Sequence, residues 1–185
     1  MNETETRRPL ITVDEFRTLA RPVSLHLDIE AVQQYIRESE DASLIPATGW
    51  ELYKFLTVEG TERPQALSEG FDPKIATDGG EWTETSDRGY QTLRLCNGLK
   101  KALAYFAYAR LQRADGNILS RAGAMRHRDE RADHTDDQKL KQYNDIVDMA
   151  ERYLSDTLYY IKKNTKEATQ KPAQARRASI KAIGD

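Results

Sequence analysis

The side chains best equipped for chemistry in this chain are the single thiol, Cys96, and three imidazoles, His26, His127 and His134. A cysteine acts as a nucleophile only as the thiolate, beside a base or a cation. No histidine stands near Cys96 in the sequence, so it reads as a small buried hydrophobe. Between His127 and His134 the segment RDERAD supplies carboxylates, but the spacing matches no common ligand pattern and the adjacent arginines repel a cation. That stretch reads as a solvated charged loop. The triplet HRD at His127 lacks the asparagine and the glycine-rich loop that accompany it in kinases, and DGG at Asp78–Gly80 lacks the lysine of a phosphate loop and reads as a turn. RRAS at Arg176–Ser179 suits a basophilic kinase as a target, a match too short to carry an argument. No nucleophile, base and orienting group come together. The expectation is a protein that is not an enzyme and uses no metal and no cofactor.

Composition narrows the classes further. The 185 residues suit one domain with extensions; 38% are hydrophobic and 31% charged, with a net charge of -2. Nothing global draws such a chain to nucleic acid or to an anionic membrane. Locally, the arginines from Arg121 to Arg131 and a basic tail can touch phosphates, but RHRDERADHTDD interleaves as many acids as bases and no base-reading motif is present. The opening MNETETRRPL has no apolar core of the kind a secretory signal needs. No segment approaches the roughly 20 apolar residues of a membrane span. With one cysteine there is no intrachain disulfide, and a reducing aqueous compartment is expected.

The elements that must position these residues read as helices. Thr12 followed by Glu15 fits a capping box, Val13, Phe16 and Leu19 share a face, and Pro22 ends the turn. Asp28 caps a second helix with Ile29, Val32, Tyr35 and Ile36 on one side. Pro46 and Gly49 are expected to interrupt it before WELYKFL, where Trp50 and Tyr53 read as core. From Val58 to Leu95 no period is sustained, with a short helix possible at Gln65–Ser68 and a strand at YQTLRL. Such a loop is uncommon inside a compact domain unless it is functional or held from outside. The run NGLKKALAYFAYARLQR is apolar around most of its circumference and predicts a central helix, its lysines and arginines laying their stems along the edge with the charges in water. ILSRAGAM reads as an extended or irregular connector. A long last helix starts at Thr135, with Gln138 as capping partner, and runs on Leu140, Tyr143, Val147, Ala150, Leu154, Leu158 and Ile161. Beyond Asn164 the chain is polar and net basic, a tail that orders on a partner.

In order and in the motifs ITVDEFR, GLKKALAYFAYAR and the connector-helix pair that follows, the chain resembles the adaptor, or head-to-tail connector, proteins of tailed bacteriophages, most of all those of crAss-like phages and Bacteroides prophages, over roughly Leu10 to Asn164. The resemblance implies an all-α fold, a helical bundle with a long irregular inter-helix loop and an extended C-terminal tail. It divides the chain into a flexible N-terminus (1–9), an adaptor domain (10–164) and a tail (165–185). It also implies a structural virion protein, assembled in the host cytoplasm, that forms a homo-oligomeric ring, commonly of twelve subunits. The portal lies above the ring and a further ring or tail protein below, and double-stranded DNA passes through without specific binding. No membrane is involved. Residues 59–94 correspond to the loop that embraces a neighbouring subunit, with Phe71, Ile75, Trp82 and Tyr90 as its contacts. The tail corresponds to the portal-reaching segment, with Lys171, Arg176, Arg177, Ile180, Lys181 and Ile183. From the residues alone, the competing reading is a monomeric intracellular helical module whose basic tail contacts nucleic acid or a protein.

Overall fold

Thr12 opens the first helix as its spacing requires. In the computed structural model, which describes residues 8–22, 28–57, 71–114, 117–120, 123–126 and 136–165, the Glu15 amide donates to the Thr12 hydroxyl at 3.2 Å. The Thr12 amide donates back to the Glu15 carboxylate at 2.8 Å. This capping box starts α1 (Val13–Leu19), which buries Phe16. Asp28 caps α2 (Ile29–Ser39) by accepting the Glu30 amide at 3.0 Å.

Pro46 does not interrupt the helix as expected. α2 runs into a π turn (Glu40–Leu44) and then α3 (Ile45–Thr48), with Pro46 in the first turn of α3, where a missing amide hydrogen is tolerated. The break falls at Gly49, at φ +82°, and α4 (Trp50–Thr57) follows. Tyr53 is buried, but Trp50 is half exposed and stacks over Tyr53 at 5.9 Å instead of entering the core.

The central helix, α6 (Leu99–Ala114), follows a short α5 (Pro73–Asp78) and a hairpin, β1 (Gly80–Thr85) and β2 (Gln91–Cys96). Every residue of α6 from Ala102 to Ala109 is buried. A helix with no solvent side needs neighbours all round, and α6 has them: α2 with its π turn, α1, α5, and α7 (Asp136–Asn164) along its length. Alanines at 102, 104, 107 and 109 let those neighbours approach, while Leu103, Tyr105 and Phe106 fill the space between.

The fold is mostly helical, but the expectation of an all-α chain fails at two places. Residues 71–96 hold α5 and an antiparallel hairpin where an irregular loop was expected, paired from Gly80↔Cys96 to Thr85↔Gln91. The strand expected at YQTLRL is β2; its partner GEWTET hid behind the turn signal of DGG. The connector is extended as expected, but it too pairs with itself, as β3 (Asn117–Ser120) and β4 (Gly123–Arg126). Along α7 the buried seam is Ile146, Ala150, Leu154, Thr157, Tyr160 and Ile161, while Leu140, assigned to the apolar stripe, is exposed. Among the described residues no helix is long and apolar enough to cross a membrane.

Two glycines let α5, the hairpin and α6 meet. Gly79 and Gly98 hold φ of +88° and +83°, and a Cβ on Gly98 would stand 2.4 Å from the Gly79 amide nitrogen.

Candidate functional site: an outward-facing hairpin

The pairing register sorts the hairpin into two faces. Cross-strand partners share a side of the ribbon, so Trp82 and Glu84 lie with Arg94 and Thr92, while Glu81 and Thr83 lie with Leu95 and Leu93.

The first face is fixed to α7. Trp82 meets the Tyr160 ring edge-on at 5.3 Å and leans on Tyr159 at 6.2 Å. Glu84 gathers three donors: the Tyr159 hydroxyl at 2.7 Å, the Arg94 guanidinium, and the Lys163 ammonium at 3.4 Å. The Tyr159 hydroxyl first, then Arg94 and Lys163, hold the Glu84 carboxyl below the usual carboxylate range despite some desolvation. Arg94 and Lys163 also flank the Tyr159 ring, each 5.6 Å from its centre. Behind the hairpin, Phe71, Ala76, Cys96, Tyr160 and Ile161 form a second small core, apart from the one around α6. The Asp72 amide donates to the Tyr160 hydroxyl at 3.1 Å, and burial pushes that hydroxyl's pKa up.

The second face is bare. Leu93 and Leu95 are 65% and 64% exposed on it; Tyr90, in the turn and in line with Thr92 and Arg94, is 72% exposed. Six residues of each strand pair only with one another, so both ribbon edges remain unpaired among the described residues.

The residues assigned to an embracing loop therefore divide. Phe71 is buried, and Ile75 and Trp82 pack against the second core, all within their own chain. Tyr90 alone of the four faces outward, and Leu93 and Leu95 join it. The alternation in YQTLRL carries the signal that finds those two leucines: once Arg94 turns inward to Glu84, both must turn out. The portal-reaching residues Lys171 to Ile183, the three histidines, the segment 127–134, the helix expected at Gln65–Ser68 and the cap at Thr135 lie outside the described residues.

The cations flanking the central helix are tied down, where free snorkelling charges were expected. Lys100 bridges two elements, pairing with Glu15 of α1 at 2.9 Å and with Asp78 of α5 at 3.0 Å. Desolvation pulls the Lys100 pKa down, but the two carboxylates outweigh it and raise it. Desolvation likewise lifts Glu15, and the Thr12 amide with Lys100 brings it below its ordinary value. Lys101 sits over the Tyr153 ring at 5.0 Å, and the Arg110 Nε donates to Ser39 at 3.0 Å. Cys96 is buried, its sulfur 3.6 Å from both the Ile75 carbonyl and the Thr157 hydroxyl. Among the described residues no three His, Cys, Asp or Glu side chains gather as a metal site would require.

The most open surface of this geometry is thus a ribbon seated on α7 whose outer face shows Leu93 and Leu95 beside Glu81 and Thr83. No match emerges among curated proteins or among solved structures. A family model does match, over residues 65–179, which takes in the hairpin, α6 and α7, and the chain belongs to that family, described as a family of unknown function (DUF6712).

Proposed function

We propose that this chain is a structural subunit of a tailed-phage virion: a head-to-tail connector whose helical bundle forms a ring on the portal and continues the DNA channel towards the tail. The observation that carries the reading is the open hairpin face. Leu93 and Leu95 stand exposed on an element that Trp82 and Glu84 hold in place, with Tyr90 exposed at its turn, and a fixed ribbon with exposed leucines and free edges is suited to another protein surface. In a ring, each subunit offers that surface to the next. In this reading the residues beyond Thr165 contact the portal, through Lys171, Arg176, Arg177, Ile180, Lys181 and Ile183. A net charge of -2 suits a channel wall that lets DNA slide.

The test is the mass of the particle, measured by light scattering and electron microscopy for the chain alone and with the portal protein of the same genome. Rings, alone or on the portal, are expected. A strict monomer that ignores the portal overturns the proposal in favour of a monomeric binding module. Deleting residues 166–185 is expected to leave the domain folded and abolish portal binding; retained binding refutes the role given to the tail.

A further inference from the structure

A groove runs between residues 9–13 and α2. Ile11 and Val13 line one wall and Ile29 the other, where Ile29 is left 52% exposed. Arg17 and Arg37 stand in the same groove, with Asp14 as its acid. The Arg17 terminal nitrogen meets Asp14 only at 3.5 Å, and 29% of the Arg17 side chain stays open. Guanidinium donors left partly open in a groove favour a carboxylate or carbonyl acceptor. The groove is therefore suited to an occupant that is apolar and carries such an acceptor.

The open face of the hairpin has that chemistry. Leu93 and Leu95 form an apolar row, and Glu81, exposed and directly across from Leu95, supplies the carboxylate. We infer that the hairpin of one copy docks into the Arg17–Arg37 groove of the next. Leu93 and Leu95 cover Ile29 and Val13, and the Glu81 carboxylate lies between the two guanidinium groups. The inference rests on the ring reading above and names its contact. Donor and acceptor surfaces lie on different elements of one chain, so the contact is head-to-tail, the kind that closes into a ring or continues as a filament.

A charge exchange tests it in the full chain. Glu81→Arg alone and Arg37→Glu alone are each expected to raise the concentration needed for assembly by about tenfold, and the two together to recover most of the loss. Circular dichroism confirms that each variant folds. Independently, a photoactivatable benzophenone side chain at position 93, in a mixture of isotopically heavy and light chains, is expected to cross-link between copies into residues 9–37. Oligomers whose cross-links land elsewhere, or whose assembly the double exchange does not recover, overturn this contact and leave the ring standing. A chain that stays monomeric alone and with the portal overturns both.

Discussion

Gly98 and Gly89 hold nearly the same backbone angle, φ +83° and +79°, in opposite surroundings. A Cβ on Gly89 would meet nothing within 4 Å. A Cβ on Gly98 would lie 2.4 Å from the Gly79 nitrogen, 2.6 Å from the Thr77 carbonyl oxygen and 2.7 Å from the Asp78 carbonyl carbon. All three are backbone atoms, so no rotamer change relieves the clash. Gly89→Ala thus isolates the conformational penalty of a left-handed alanine, about 1–2 kcal/mol. Gly98→Ala adds overpacking, about 1–3 kcal/mol more. Urea unfolding followed by circular dichroism at helical wavelengths reads both variants, and Gly98→Ala is expected to lose at least about 1 kcal/mol more than Gly89→Ala. Against a total stability of about 5–15 kcal/mol for a domain, that is a large fraction. Equal losses refute the reasoning, because they mean that the α5 and α6 backbones do not touch as described.

Thr12→Ala removes one arm of the capping box and is expected to lower stability by about 0.5–2 kcal/mol in the same assay. Glu15 has a folded pKa below its ordinary 4.5, so its contribution is full above that value and is lost as the pH falls through the depressed one. Acid unfolding curves should show this loss below pH 4.5, and Lys100→Met, which removes the cation paired with Glu15, should flatten it. Glu84→Gln removes the charge that Arg94 and Lys163 share, and amide exchange over residues 80–96 is expected to quicken while the melting of α6 and α7 stays nearly fixed. Unchanged exchange means that aromatic packing alone seats the hairpin. Leu103→Ala, at a fully buried position, is expected to cost about 2–5 kcal/mol, read as a shift in the urea midpoint.

The helices were legible because their signals are local. Thr12 with Glu15, and Asp28 before an apolar stripe, state where a helix begins within a few residues, and the breadth of the apolar run at 99–111 states that α6 is buried all round. The hairpin was half legible: LRL alternates visibly, whereas GEWTET carries one large apolar residue among acids and threonines, and its strand character comes from pairing with residues six to sixteen positions away. The ties of Lys100 were illegible for the same reason, since Glu15 and Asp78 reach it from two separate elements earlier in the chain. On α7, Leu140 and Ile146 are equally apolar, and only the place where α6 begins and ends decides which is covered. Of the candidate site, Tyr90 was found and Leu93 and Leu95 were not, because the face to which a strand turns follows from what Glu84 binds.

The two cores share one rod. α7 lines the main core with Ile146, Ala150 and Leu154, and its last turns clamp α5 and the hairpin through Tyr160, Tyr159 and Lys163. The chain leaves that rod at Thr165. A pull on the residues beyond is delivered first to the turns that grip Asp72 and Glu84, and only then, along the helix axis, to the contacts with α6. The hairpin and α5 are thus the first neighbours of α7 to feel a load applied at Thr165, while the unbroken helix carries that load on to the main core.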